Sequence, residues 1–159
     1  MTAQAVTQIV RRVASADDPV SVEGLSEIFS QEGWVTNGST TLPFPRRWSF
    51  ERTTAAIFTD PNSAFIQFAF HVIEPDTPDY ESAMEDEYAA EIQDYQSLEQ
   101  ASISLLGGLD ISHDPERLDD SISFISGTCW KINHTFLSIG VSHEDEDLPI
   151  VILARLRQQ

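Results

Sequence analysis

Apolar residues in the first 33 positions recur at helical spacing in two separate runs. Residues 2–15 predict an amphipathic helix that ends before Asp17, Asp18 and a proline. Ser21 carries the side chain of a helix N-cap, and the run behind it predicts a second, shorter helix that Gly33 ends. The two predicted apolar stripes are Val6, Ile9, Val10 and Val13, and Val22, Leu25, Ile28 and Phe29.

The pattern changes to strand character over residues 34–73. Trp34 begins a strand-like run, and Asn37-Gly38 predicts a tight hairpin turn behind it. Residues 53–59 and 64–73 form two further strand-like runs, and the segment between them (DPNS) has the composition of a turn. Both faces of the run 64–73 are largely apolar, so we expect it to be a central strand.

A long helix is predicted over residues 79–106, because one apolar stripe continues along it until two glycines. After a loop at 109–120, residues 121–156 predict three antiparallel strands, the first two joined by a turn at Asn133-His134. This order predicts an α+β fold, with an antiparallel sheet packed against one long helix, N-terminal helices, and a single domain over residues 1–159. The helical stripe is Tyr80, Met84, Tyr88, Ile92, Tyr95, Leu98 and Leu105.

The charge of the chain indicates which kinds of partner it can bind. The chain has 26 acidic and 9 basic side chains, for a net charge of −17, and it has no Lys or Arg between Arg52 and Arg117. Such a chain repels nucleic acid and anionic membrane surfaces, since both are bound through Lys and Arg. We therefore expect neither as a partner, and we expect a basic protein partner instead.

The acidic residues form two groups that a partner could contact. One lies on the face of the long helix away from its apolar stripe, and the other follows His143 in the stretch SHEDEDLP, between the last two predicted strands. Like charges four residues apart destabilise a helix, and no lysine offsets them here. A solvated surface, adapted to high salt, explains this pattern as well as a docking surface does. The predicted contact residues are Asp86, Glu87, Glu91, Asp94, Glu144, Asp145, Glu146 and Asp147.

Catalytic and metal-binding patterns are weak in this sequence. Successive side chains of an extended turn diverge, whereas a metal site needs three or four that converge, so we expect no metal ion and no cofactor. No GxSxG or phosphate-binding loop occurs, and we expect no enzyme activity. Cys129, the single cysteine, lies among apolar residues and is expected to be a core side chain.

The three predicted C-terminal strands resemble a pattern known from other proteins. A strand containing an aromatic residue (CWKI), a second with Gly-Val near its end (FLSIGVSHEDEDLP) and a third that follows a proline (IVILARL) resemble the pattern of small bacterial immunity proteins. Those proteins are acidic α+β partners of secreted toxins, including contact-dependent inhibition systems. The resemblance implies that the chain binds and blocks a toxin domain, and a nuclease with a basic cleft fits the charge. It implies no residue assignments.

Two alternatives stay open. An acidic secretion chaperone or adaptor would bind an unfolded basic segment, and a hydrolase or metal enzyme would use His113 or His143. The N-terminal segment places its arginines after its apolar residues, the reverse of a signal peptide, so we expect a cytoplasmic protein. One cysteine fits that compartment.

Overall fold

Eight strands form one antiparallel sheet in the order β1-β2-β3-β4-β8-β7-β6-β5. The computed structural model describes residues 2–37, 46–60, 63–73, 80–144 and 150–159, with residues 2, 37, 60, 63, 71–73 and 80–91 described by their backbone only. The strands are β1 Val35–Asn37, β2 Arg46–Phe50, β3 Thr53–Asp60, β4 Ser63–Ile73, β5 Ile111–His113, β6 Phe124–Ile132, β7 Thr135–Ser142 and β8 Ile150–Gln158. The helices are α1 Thr2–Ala14, α2 Val22–Gln31 and α3 Tyr80–Leu105, and a 3-10 turn spans Pro115–Arg117.

The sheet consists of two four-stranded meanders joined along one seam. The strands β1–β4 pair in sequence order, as do β5–β8, and β4 pairs with β8 from Phe65↔Arg157 to Ile73↔Ile150. The helix α3 connects the two meanders in the chain. The fold is therefore α+β, as predicted, with a sheet larger than expected, and β4 is a central strand.

Both N-terminal helices form as predicted. Val6, Ile9, Val10 and Val13 of α1 are at most 2 % exposed, because this stripe lies in the hydrophobic core. In α2 the Ser21 hydroxyl caps the helix by accepting from the Gly24 amide, and Leu25, Ile28 and Phe29 are buried. Gly33 has a φ of 81°, the left-handed conformation that ends the helix.

The core lies between the three helices and one face of the sheet. Phe29 of α2 stacks on Trp48 of β2 with ring centroids 5.4 Å apart and meets Trp34 edge-on at 5.1 Å. The described part of α3 contributes Tyr95, which is buried, and Ile92 and Leu98, which are partly buried. The helical layer is thus shared by α1, α2 and α3. No helix in the described part of the chain is long and apolar enough to cross a membrane.

Three local expectations were wrong. Asn37 pairs with Arg47, so β1 and β2 are joined through residues 38–45 and not by a tight turn at Asn37-Gly38; Gly38 itself lies outside the described residues. The expected loop at 109–120 contains β5 and the 3-10 turn. Leu105 is 46 % exposed, whereas Leu106 is buried, because α3 ends at this point and the apolar stripe shifts by one residue.

Candidate functional site

The predicted helical acids lie on α3, and contacts along that helix fix its direction relative to the sheet. Trp130 donates from Nε1 to Glu99 Oε1 at 2.7 Å, and the Tyr95 and Ser126 hydroxyls are 3.2 Å apart. Trp130 pairs with Leu137 of β7, whereas Ser126 pairs with Val141. Moving along α3 from Glu99 to Tyr95 therefore follows β7 toward its end at Ser142.

Residues 80–91 continue in this direction for about 18 Å at the α-helical rise. The helical acids and Glu144 consequently belong to the Ser142 end of the sheet, where the chain leaves β7 and where β4 ends beside β8. We call Asp86, Glu87, Glu91 and Asp94 of α3, together with Glu144, the acidic end.

Of the residues of the acidic end, the structure describes the side chains of Asp94 and Glu144 and only the backbone of the others. Asp94 and Glu144 are exposed, and neither has an ion-pair or hydrogen-bond partner within the described residues. The backbone of Asp86, Glu87 and Glu91 is helical. Asp145, Glu146 and Asp147 lie outside the described residues. The helix α3 contains no Lys or Arg that would offset its acids.

The opposite face of the sheet carries a second cluster that the sequence did not indicate. Strand register places Gln67, Arg155 and Ser138 side by side across β4, β8 and β7, on the face away from the core. Phe65, Arg157 and Phe136 form the neighbouring row. Among the described residues, no helical side chain contributes to this face, which we call the helix-free face.

The segment 114–123, called the strap, crosses the helix-free face and inserts Asp119 between two arginines. Asp119 Oδ2 lies 2.7 Å from Arg157 Nε and 3.1 Å from Arg155 Nη1. Its Oδ1 accepts from the amide and hydroxyl of Ser121 at 3.0 and 2.6 Å. The Asp119 side chain is 6 % exposed, so this carboxylate is largely desolvated and held by charge-assisted hydrogen bonds.

The two arginines are themselves held by an aromatic ring and by polar neighbours. Their guanidinium carbons lie 4.7 Å (Arg155) and 5.0 Å (Arg157) from the centre of the Phe65 ring. Arg155 also donates to Gln67 Oε1 at 2.7 Å and to the Ser121 hydroxyl at 2.6 Å. Both guanidinium groups are therefore held in the orientation in which they contact Asp119.

Burial alone would raise the pKa of Asp119, but the hydrogen bonds from Ser121 and the charges of Arg155 and Arg157 outweigh it. The pKa therefore lies below its ordinary value. Cys129 faces the same side and is fully buried next to the strap. Burial raises the pKa of its thiol, and a hydrogen bond with Ser138 opposes this rise without cancelling it. The thiol is thus protonated at neutral pH, and the expectation that it is buried is confirmed.

The two histidines considered for a hydrolase or metal enzyme, His113 and His143, lie on the edge strand β5 and directly after β7. The ring of His113, on the edge strand β5, lies 4.8 Å from the ring of Trp130, and its Nε2 contacts the Thr128 hydroxyl. His143 follows β7 at the acidic end and is half-buried. Within the described part of the chain, no group of three or more His, Cys, Asp and Glu side chains could hold a metal ion.

Sequence reasoning missed Asp119, Arg155 and Arg157 because they are separated by up to 38 residues and join a loop to a strand. A partial signal existed in the alternation of Arg155 and Arg157 on one face of a strand. Comparison with family models, with curated proteins and with solved structures gives no significant match. The function is therefore argued from the residues of this chain.

Proposed function

We propose that this protein is an immunity-type binding protein that docks a basic toxin domain on its acidic end. It acts by occlusion in the cytoplasm and performs no catalysis. A nuclease domain with a cationic, phosphate-binding cleft is the expected partner, because clustered carboxylates can pair with the groups that otherwise hold phosphate.

One observation carries the proposal: the direction of α3 brings the helical acids and the β7–β8 connection to the same end of the sheet. The hydrogen bonds of Glu99 and Tyr95 establish that direction. Acids that are far apart in sequence therefore contribute negative charge at the same end of the sheet. Asp94 and Glu144 are exposed and without partners among the described residues, so their charge is available to an approaching cation.

The chain also offers a matched control surface at the other end of the sheet. Asp110 accompanies the turn at Asn133, because its amide donates to Asn133 Oδ1 at 3.0 Å. Asp17 and Asp18 follow α1, whose residue Ala14 accepts from Asn133 Nδ2 at 2.8 Å. These acids are exposed, as is Glu23 at the start of α2.

The test compares two quadruple variants that lose the same charge. The acidic-end variant carries Asp86→Asn, Glu87→Gln, Glu91→Gln and Asp94→Asn, and the control variant carries Asp17→Asn, Asp18→Asn, Glu23→Gln and Asp110→Asn. Each is titrated by calorimetry with a basic nuclease toxin domain, sought in the gene next to the one for this chain, and each is co-expressed with that domain in a growth-protection assay.

We expect the acidic-end variant to bind about 100-fold more weakly and to lose protection, since close charge pairs across an interface couple by about 1.5–7 kcal/mol. The control variant should bind within about threefold of the unmodified protein and keep protection, because its sites lie away from the interface. Equal effects of the two variants would favour a generally acidic, salt-adapted surface and would contradict docking at the acidic end.

A further inference from the structure

The outer edge of β6 is covered by another strand over only part of its length. The strand β5 pairs with residues 130–132 of β6, and one residue further along the Asp114 amide donates to the Cys129 carbonyl oxygen at 2.9 Å. Over residues 125–128, β7 pairs with β6 on one side, and no described strand pairs with it on the other. About 10 Å of strand edge is therefore open in the described part of the chain.

The hydrogen bond from Asp114 also shows which backbone groups face this edge. Alternate residues of a strand direct their N–H and C=O groups to the same side, so those of Gly127 point outward, as the carbonyl of Cys129 does. Those of Thr128 point inward to β7. Gly127 is partly exposed, and Ile125 is 42 % exposed. The edge thus offers backbone groups for pairing and an apolar side chain that a partner can cover.

Carboxylates outnumber basic side chains around this edge. Residues 92–132, which comprise the described flank of α3, β5, the strap and β6, contain seven carboxylates and two basic side chains. The nearby Arg155 and Arg157 of β8 contact Asp119, and His113 adds a positive charge only when it is protonated, so the excess remains negative. A basic segment is therefore attracted to this edge and an acidic one is repelled. The carboxylates are Asp94, Glu99, Asp110, Asp114, Glu116, Asp119 and Asp120, and the basic side chains are Arg117 and Lys131.

The helix α3 supplies one of these carboxylates within reach of an added strand. The hydroxyls of Tyr95 and Ser126 are 3.2 Å apart, and this part of α3 lies over β7. A strand added beyond β6 would be two strand spacings, about 10 Å, from β7. A groove of about 440 Å³ lies between α3 and Trp130, and Glu99 forms part of its wall. A long basic side chain on the helix side of the added strand can therefore reach Glu99.

We propose that the open edge of β6 binds an extended basic segment of a partner protein as an additional strand. The backbone of that segment pairs with Gly127, its basic side chains point toward Glu99, and its apolar side chains cover Ile125. The inference goes beyond the proposed function, because it assigns a different surface and a different interaction, backbone pairing. The edge adjoins the acidic end, since Phe124 pairs with Ser142, so one basic partner can contact both.

The probes are three eight-residue peptides, each used at about 0.15 M salt. The first alternates valine with lysine, and the second alternates valine with glutamate. The third is the lysine peptide with every backbone amide N-methylated, which keeps the charge but cannot donate to a strand edge. The measured quantity is the hydrogen-exchange rate of the Gly127 amide, and the Thr128 amide, which faces β7, is the internal control.

We expect the lysine peptide, at ten times its dissociation constant, to slow exchange of the Gly127 amide about tenfold. At that concentration the amide is left unpaired in about one molecule in ten. Exchange of the Thr128 amide should not change. The glutamate peptide and the N-methylated peptide should leave exchange of the Gly127 amide unchanged, because the first is repelled and the second cannot pair.

Two pairs of variants test the edge and the carboxylate separately. Ile125→Lys should abolish the effect, since a lysine on a strand edge opposes pairing and repels the basic segment, whereas Val35→Lys on β1, at the other edge of the sheet, should not. Glu99→Gln keeps an oxygen acceptor for the Trp130 indole and should weaken binding of the lysine peptide about threefold. Asp110→Asn removes the same charge before β5 and should change this binding less than about 1.5-fold.

Three results would overturn the edge site: no slowing of Gly127 exchange at about 1 mM lysine peptide, equal slowing by the glutamate or the N-methylated peptide, or unchanged slowing in Ile125→Lys. The proposed function is tested by toxin binding of the quadruple acidic-end variant, which does not involve Gly127. Loss of toxin binding in that variant, with no protection of Gly127 in the unmodified protein, would remove the edge site alone. Protection of Gly127 with unchanged toxin binding in that variant would remove docking at the acidic end alone.

Discussion

Replacing Asp119 with alanine should release the strap from the sheet and open access to Cys129. The carboxylate contacts Arg155 and Arg157 and also anchors Ser121, whereas its neighbour Asp120 is exposed and serves as the matched control. Cys129 is the only cysteine of the chain and is fully buried, so its reaction rate reports directly on opening at this site.

The free energy lost in Asp119→Ala can be derived from the exposure of the three charged side chains. Asp119 and Arg155 are 6 % and 13 % exposed, and breaking a buried pair by removing one partner destabilises by about 3–5 kcal/mol. Arg157 is 40 % exposed, so its pair adds less than about 1 kcal/mol. We take the lower value, about 3 kcal/mol, because Arg155 keeps its hydrogen bond with Gln67, which lies outside the strap.

The assay is the rate at which a thiol reagent modifies Cys129 under native conditions. If the free energy of opening the strap falls by about 3 kcal/mol, the fraction of molecules with an open strap, and hence the rate of Cys129 modification, rises about 100-fold. Asp120→Ala should stay within about twofold. A small dependence of the rate on denaturant would identify opening of the strap alone, and a large one would indicate global unfolding. Unchanged labelling in Asp119→Ala would refute the assigned role of the carboxylate.

Three further outcomes can be measured by urea unfolding. Because the pKa of Asp119 is lowered in the folded state, its contribution is present above about pH 4 and is lost as the pH falls through the folded-state pKa; Asp119→Asn should therefore reduce the difference in unfolding free energy between pH 7 and pH 3. Gly140→Ala should destabilise by about 3 kcal/mol, since the new methyl group would overlap the Ser126 carbonyl oxygen, whereas at Gly107 the nearest atom is 3.6 Å away and the same change should have little effect. Phe29→Ala should remove about 3–5 kcal/mol, because this fully buried ring packs against two tryptophans.

The helices were the most predictable part of the fold, because each carries enough apolar residues to define a period. The stripe of α1 and the Ser21 cap were identified correctly from the sequence. The reversal between β3 and β4 also lies where the sequence placed it, since Asp60 pairs with Ser63. The turn at Asn133 forms with a positive φ of 52°, a conformation that asparagine tolerates.

The edge strand β5 could not be predicted, since three residues cannot establish a period of two. The strand β5 lay inside a polar, proline-containing segment that indicated a loop. The pairing of β4 with β8 could not be predicted either. It joins residues up to 92 positions apart, and local patterns do not specify which strands become neighbours. The cluster around Asp119 depends on that pairing, since Gln67 and Arg155 meet only across it.

The pairing of β4 with β8 has a consequence for the chain while it is being synthesised on the ribosome. Until residues 150–158 have left the ribosome, β4 has a neighbour on one side only, and its other edge presents the backbone groups beside Phe65, Ile66 and Phe68. At translation rates of about 5–20 residues per second, that edge waits about 4–17 s for its partner. The nascent N-terminal meander is therefore the state most exposed to aggregation, and loss of the last nine strand residues would make that state permanent.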